Sequence, residues 1–276
     1  MVVHLAYQAA ELATRALPRR TADAVAKALA RAAFTAGVPA RRAAEENLAR
    51  LLPDAPADTR QALARESFES FALGFADFLR LRRMAPAALL RAVEVQGAEH
   101  LRTARASGRG VILLSAHLGN WEWGAAWFGA SGIPLHLAAR PHADAAVERL
   151  FALRRSAFGL RLLPARARLA HAASVLRAGQ WLALMGDRSG DRAGDRNAQQ
   201  GGSVCASAAA LARRTGALIL PAAVVRPAPG RHLLLCEEPL SPEQCMGGGY
   251  RAAVERWLAR YPGQWAAFEA LPEGLA

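Results

Sequence analysis

The chain of 276 residues is 53% hydrophobic, which is enough to bury the core of one large domain, or of a catalytic domain with a helical annex. Its 35 basic and 23 acidic residues give a formal net charge of +12. A basic excess of this size indicates an anionic partner, because net charge bears on binding rather than on fold. The sequence has no zinc-finger spacing, aromatic-rich RNA-binding strand or heptad-linked basic region. We therefore expect no nucleic-acid partner and favour an anionic membrane or an acidic carrier protein.

Three cysteines, Cys205, Cys236 and Cys245, are too few for a disulfide framework and have no close metal-ligand spacing, so we expect reduced thiols and no bound metal. Residues 1–10 lack the basic start of a secretory signal. The longest uncharged stretch, residues 123–139, is broken by glycine and proline and is shorter than the ~20 apolar residues of a spanning helix. We therefore expect a peripheral protein at the cytoplasmic face of the inner membrane, with no spanning helix.

Helices are predicted for the first third of the chain, residues 1–92, with prolines marking the breaks between them. The first helix has a broad apolar side over residues 2–13, followed by arginines. Such a helix either packs into the core or lies on a membrane surface. The basic cluster at residues 80–83 fits a membrane contact or a solvated helix end.

Residues 93–276 change to short apolar strands that alternate with alanine-rich helices. This alternation indicates an α/β fold with a mixed, largely parallel central sheet flanked by helices. Together with the N-terminal helical region, it forms a single domain of residues 1–276. The glycines at positions 247–249 indicate a flexible connection. The predicted strands are residues 110–115, 135–139, 181–185, 217–225 and 232–237, and the predicted helices are residues 121–130, 143–158, 166–178 and 205–215.

Three polar residues, His117, Arg140 and Asp187, directly follow predicted strands. Because ligands gather at the carboxyl ends of strands in open α/β sheets, we expect the three to converge on one crevice. Arg140 either binds a phosphate or a developing oxyanion, or is a surface arginine before a proline turn. Asp187 either orients a catalytic group, holds Arg140 or Arg155 in place, or caps a turn.

Residues 117–122 read His-Leu-Gly-Asn-Trp-Glu and place an imidazole and a carboxylate five positions apart. Along one helix these side chains would diverge by about 140°. A strand end, a turn at Gly119 and a helix capped by Asn120 would instead bring them together. Such a pair suits proton removal from an attacking alcohol, with Glu122 orienting His117. The same residues also fit a capped helix start beside a hydrogen-bonded histidine.

The hexapeptide resembles the active-site motif of the bacterial lipid A biosynthesis acyltransferases and of their relatives that acylate phosphatidylinositol mannosides. It is the HX4D/E theme of the glycerolipid acyltransferase superfamily. The sequence departs from the family pattern in three ways. Residues 197–202 stand where an aromatic-aromatic-glycine element is expected, and we expect no membrane-spanning N-terminal helix. Residues 261–265 keep the family's proline and glutamine-aromatic pattern but are not followed by a basic run. Weaker similarities extend over nearly the whole chain, at residues 42–53, 68–79, 139–141, 153–159, 184–188 and 209–217.

The resemblance implies an acyltransferase that moves a fatty acyl chain from acyl carrier protein or a coenzyme A thioester to a hydroxyl of a membrane lipid, without a cofactor. It implies that His117 is the general base and Glu122 its partner. Arg140, Arg155, Asp187 and Asn120 would bind substrate or stabilise the oxyanion. A thioesterase that uses the same pair, or a non-catalytic protein that binds membrane or acyl carrier, is the alternative. We also expect an apolar trench for the acyl chain, with Trp121, Trp123, Trp127 and Phe128 as candidate lining residues or as ordinary core.

Overall fold

The computed structural model describes residues 2–139, 141–163, 168–187 and 204–271. Its first third is helical, as predicted, and prolines stand at the start of four of these helices. Proline is favoured there because its fixed φ suits a helix start and its missing N–H would have had no helical partner. The helices are α1 (Val2–Ala16), α2 (Arg19–Thr35), α3 (Pro39–Leu51), α4 (Ala57–Leu81) and α5 (Pro86–Arg91).

A seven-stranded sheet forms the centre of the rest of the described chain. Its strands are β1 (Val93–Gln96), β2 (Val111–Ser115), β3 (Leu135–Leu137), β4 (Arg161–Leu162), β5 (Trp181–Met185), β6 (Leu218–Ala228) and β7 (Arg231–Cys236). They lie in the order β1-β7-β6-β2-β5-β3-β4. All neighbours are parallel except β6 and β7, which form an antiparallel hairpin. The expected mixed, largely parallel sheet is therefore confirmed.

Helices cover both faces of this sheet. They are α6 (Ala98–Ala106), α7 (Trp121–Ala130), α8 (Ala145–Ser156), α9 (Arg168–Arg177), α10 (Val204–Thr215), α11 (Pro242–Met246) and α12 (Gly249–Arg260). The sequence did not predict β1, α6, α11, α12 or the two-residue strand β4. A capping box at Ser241 and Gln244 starts α11, and α12 begins directly after Gly248, in the segment that we had predicted to be a flexible connection.

The two sheet faces carry separate cores. One face packs against α7 and the N-terminal helices, and the other packs against α9, α10 and α12. Alternation along β2 shows the division, because Leu113 belongs to the first core while Ile112 and Leu114 belong to the second. Cys205, Cys236 and Cys245 are buried thiols. Within the described ranges, no helix combines the length and the apolar character needed to cross a bilayer.

A buried charge cluster fastens the N-terminal helices to the sheet. Asp77 of α4 is fully buried and lies 3.0 Å from Arg19 of α2 and 3.1 Å from Arg80. Arg226 of β6 lies 3.7 Å from Asp77, and His232 of β7 lies 3.6 Å from it. Removing one partner from a buried pair leaves an uncompensated charge, so this cluster fixes how α2 and α4 sit against β6 and β7.

Candidate active site

The turn after β2 is built from tight backbone contacts. Gly119 has φ +64°, and a Cβ at this position would lie 2.2 Å from the carbonyl oxygen of Val224. The N–H of Asn120 donates to that same carbonyl at 2.8 Å, and the N–H of Gly119 donates to the carbonyl of Gln264 at 2.9 Å. Only glycine fits this conformation and this space. The predicted sharp turn is therefore present, held between β6 and a C-terminal segment.

Asn120 caps α7, because its Oδ1 accepts a hydrogen bond from the N–H of Trp123 at 3.2 Å. The residue is 4% exposed. Asn120 was predicted to bind substrate or the oxyanion. The structure places its side chain at the helix start, where it satisfies a backbone donor and sets the direction in which α7 leaves the turn.

His117 meets a carboxylate, and that carboxylate belongs to Asp187. His117 Nδ1 lies 2.9 Å from Asp187 Oδ1, and the indole Nε1 of Trp265 donates to Asp187 Oδ2 at 3.0 Å. Burial works against a charge on Asp187, yet His117 and Trp265 outweigh it and hold the pKa of Asp187 below its usual range. An ionised Asp187 accepts from Nδ1, so Nε2 is the ring nitrogen that remains for a substrate proton.

The structure differs here from the expectation that Glu122 orients His117. Glu122 instead forms a two-point ion pair with Arg155 of α8, with Oε1 2.5 Å from Nη2 and Oε2 3.2 Å from Nε. Only 12% of the Glu122 side chain and 9% of the Arg155 side chain are exposed. The physical reason is geometric, since α7 carries Glu122 toward α8 while the strand next to β2 brings Asp187 to the histidine.

Arg140, the third predicted strand-end residue, lies outside the described residues, as do residues 188–203 after Asp187. The structure therefore brings together His117 with Asp187, and Glu122 with Arg155. Trp265 was not predicted as a site residue. It stands in the proline and glutamine-aromatic segment that resembles the family, but 78 residues separate it from Asp187.

A cavity of about 1100 Å³ opens beside these residues, between α7 and one face of the sheet. His117, Glu122 and Arg155 line it together with many apolar side chains. Because α7 runs away from the turn, the seven residue steps from Trp121 to Phe128 extend the cavity by about 10 Å. Apolar lining residues along this path include Leu113, Ala125, Phe128, Leu135, Leu137 and Ala183. The polar groups therefore lie at one end of a long apolar space.

Two of the four candidate trench aromatics, Trp121 and Phe128, line this cavity. Trp123 instead stacks on His232, with ring centroids 4.5 Å apart. Trp127 packs edge-on against Phe128. The helical period explains this division, because residues 121 and 128 lie two turns apart on one side of α7.

A second histidine–carboxylate pair lies near Arg155, and its histidine, His142, lines the cavity. Glu148 of α8 accepts hydrogen bonds from the backbone N–H of His142 at 2.7 Å and pairs with His142 Nδ1 at 2.9 Å. The backbone hydrogen bond from His142 lowers the pKa of Glu148. Phe151 holds the imidazole on one side, with ring centroids 4.2 Å apart. Across the described residues, no cluster of three or more histidine, cysteine, aspartate or glutamate side chains has the arrangement of a metal site.

An HX4E motif at a strand end of an α/β sheet, beside a deep apolar cavity, is the arrangement that the sequence predicted for a lipid acyltransferase fold. The chain belongs to the bacterial lipid A biosynthesis acyltransferase family, whose family model matches residues 2–269. The family expected from the motif is therefore confirmed.

Two mycobacterial relatives are similar to this chain. It is 32% identical over 163 residues to the phosphatidylinositol mannoside acyltransferase of Mycolicibacterium smegmatis, and the match covers 59% of this chain and 53% of that protein. It is 34% identical over 128 residues to the phosphatidylinositol mannoside acyltransferase of Mycobacterium tuberculosis, and this match covers 44% of this chain and 39% of that protein. The match to this chain thus spans about half the length of the first relative and about two fifths of the second.

Proposed function

We propose that this protein transfers a fatty acyl chain from a thioester to a hydroxyl group of a membrane glycolipid, with His117 as the general base. The observation that carries this proposal is the hydrogen bond between His117 Nδ1 and Asp187 Oδ1 at the polar end of a cavity of about 1100 Å³. Membership of the acyltransferase family and the names of the two mycobacterial relatives support the same reaction.

The reaction proceeds in one displacement. His117 Nε2 takes the proton from the acceptor hydroxyl as its oxygen attacks the thioester carbonyl, and Asp187 stabilises the imidazolium that forms. The tetrahedral intermediate collapses, the carbon–sulfur bond breaks, and the thiolate takes the proton from His117. A positioned general base of this kind contributes about 10²–10⁴-fold to the rate. The step needs no cofactor, metal or covalent enzyme intermediate.

The ion pair of Glu122 and Arg155 serves binding in this scheme. Arg155 lines the cavity, and no acceptor among the described residues lies within hydrogen-bonding distance of its Nη1. A buried guanidinium with a free donor suits a phosphate of the donor or acceptor, or the developing oxyanion. Glu122 holds the other two nitrogens and so fixes the plane of the guanidinium. Arg140 remains a proposed second cation for the same anionic groups.

The apolar length of the cavity suits the acyl chain. Ligand pockets in proteins usually measure about 300–1,000 Å³, and this cavity of about 1100 Å³ is slightly larger. Its walls at Leu113, Leu137 and Ala183 are apolar and lie along three neighbouring strands. A fatty chain would enter there with its thioester at His117.

The acceptor side is proposed to face an anionic membrane at the cytoplasmic surface. The net charge of +12 favours such a surface. Exposed apolar residues occur near the polar end of the cavity, where Phe71 of α4 is 43% exposed and packs near Trp121 and Phe268. Tyr7 of α1 lines the same cavity. Leu12, five residues further along α1 and about 140° around the helix, is 65% exposed. These residues are suited to peripheral contact with lipid.

The test is a transfer assay with purified protein, long-chain acyl-coenzyme A or acyl carrier protein as donor, and a panel of glycolipid acceptors presented in anionic vesicles. We expect an acylated lipid product that His117→Ala reduces by about 10²–10⁴-fold. Asp144→Asn, at the N-cap of α8, is the control and should keep activity. Thioester hydrolysis without lipid product would support a thioesterase instead. No turnover of any donor that depends on His117 would overturn the proposal.

A further inference from the structure

We infer that Trp265 fixes the proton arrangement of the His117–Asp187 pair, so that it is a positioning residue for acyl transfer. This inference rests on the proposed function and deepens it. The indole Nε1 donates to Asp187 Oδ2 at 3.0 Å, while Asp187 Oδ1 lies 2.9 Å from His117 Nδ1. Each oxygen of the carboxylate therefore has its own partner, and the Asp187 side chain is fully buried.

The chemistry of the indole group makes this contact selective. Indole N–H only donates, so a proton on Asp187 Oδ2 would face another proton and break the contact. Burial by itself favours the neutral acid, because a charge in a low-dielectric site is costly. Trp265 opposes that tendency and keeps Oδ2 as an acceptor. The proton then stays on His117 Nδ1, and Nε2 keeps the lone pair that a general base needs.

Backbone hydrogen bonds of the neighbouring residues hold Trp265 in place, independently of its indole N–H. The N–H of Ala266 donates to the carbonyl of His117 at 2.8 Å, and the carbonyl of Gln264 accepts from Gly119 at 2.9 Å. The Gln264 side chain makes two further hydrogen bonds to the backbone of Arg226, at 2.8 and 3.0 Å. The residues on either side of Trp265 are therefore tied to the catalytic turn and to β6. Removing the indole N–H should leave this segment where it is.

A second tryptophan provides a matched control. Trp257 of α12 is 3% exposed, as is Trp265. Its Nε1 donates to Glu237 Oε1 at 2.8 Å. Exchanging either residue for phenylalanine removes one buried indole and one hydrogen bond to a carboxylate. Only Trp265 makes that bond to the carboxylate beside His117, so a purely structural loss should affect the two variants alike.

The experiment compares Trp265→Phe and Trp257→Phe in the transfer assay, with kcat and KM measured across pH. We expect Trp265→Phe to lower kcat by about 10–100-fold, with KM changed less than about threefold. The acid limb of the kcat profile should move to higher pH, because Asp187 accepts a proton more readily without the indole. Trp257→Phe should keep the wild-type kcat and profile. If both variants keep the wild-type kcat and pH profile, the inference is wrong.

Two further measurements keep the test decisive if Trp265→Phe folds poorly. Replacing Trp265 by benzothienylalanine keeps the bicyclic shape and removes only the N–H, and it should reproduce the kinetic change. In a double-mutant cycle, Trp265→Phe should add little to Asp187→Asn, because both act through one carboxylate. Full additivity would contradict the inference. If His117→Ala also keeps activity, the proposed function fails; if His117→Ala is inactive and the isostere is fully active, only the role of Trp265 fails.

Discussion

Ser115 of β2 pairs with Met185 of β5 in a parallel register, and two positions beyond these partners stand His117 and Asp187. The equal offset carries both side chains past the same edge of the sheet, where their hydrogen bond forms at 2.9 Å. A register slip of one residue would turn every side chain of β5 to the other face. The strand pairing that builds the core therefore also sets the distance between base and carboxylate.

Asp187→Asn should reduce kcat by about 10³–10⁴-fold with little change in folding, because an amide can stabilise the wrong imidazole tautomer and cannot stabilise the imidazolium. The loss is measured as the initial rate of lipid acylation. The thermal unfolding midpoint, measured in parallel, should stay near that of the wild type. A variant that keeps more than a tenth of the wild-type rate would show that His117 works without this carboxylate.

Glu122→Ala should destabilise the protein by about 3–5 kcal/mol, because it leaves the buried Arg155 charge without its partner. Urea unfolding measures this loss. Replacing both residues by leucine should recover much of the stability, since no charge is then left uncompensated. The double variant should nevertheless remain inactive in acyl transfer. Activity in the double variant would mean that the ion pair has only a structural role.

Ala183→Leu should shift the donor preference toward shorter acyl chains. Ala183 lines the cavity on β5, level with Leu113 and Leu137, so the added carbons extend into the cavity. We expect the rate with a 16-carbon donor to fall at least about tenfold, which corresponds to about 1.4 kcal/mol. The rate with an 8-carbon donor should change little. Leu182→Met, on the opposite face of the same strand, is the control and should keep the wild-type chain preference.

The sequence predicted the convergence of His117 and Asp187, because both follow apolar strands and parallel strands end at a common edge. It did not identify which carboxylate meets the histidine. Strands β3 and β4 lie between β2 and β5 in the sequence, whereas β5 is the direct neighbour of β2 in the sheet. Proximity along the chain favoured Glu122 as the partner of His117, but the strand order in the sheet places Asp187 beside it. Trp265 was missed for the same reason, since its contact depends on the path of the C-terminal segment.

The N-terminal helices were predictable from the sequence, whereas their buried contacts with the sheet were not. Proline positions and apolar periodicity are local signals, so helices up to Arg91 were predictable from the sequence. The buried cluster around Asp77 was not, because its partners come from α2, β6 and β7. Charged residues at these positions suggest solvent exposure when each is considered alone. Only the tertiary arrangement makes them a buried contact.

Stability should fall as the pH drops below about 6.5, the ordinary pKa of histidine, because burial lowers the pKa of His232 in the folded protein. Below that pH, His232 binds a proton in the unfolded chain but not in the folded chain. The free energy of unfolding therefore falls by at most about 1.4 kcal/mol per pH unit for this group. Burial also lowers the pKa of His136, so both histidines lower the stability of the folded protein as the pH falls. Asp77 acts at lower pH. Its pKa is depressed in the folded protein, so its contribution to stability is complete above the unfolded pKa of about 3.9 and is lost as the pH falls through the folded pKa.

The variant His232→Phe tests this pH dependence, because it keeps a ring against Trp123 and removes one titrating group. Between pH 8 and pH 5, its free energy of unfolding in urea should change with pH clearly less steeply than that of the wild type. An unchanged slope would assign the pH dependence to other groups.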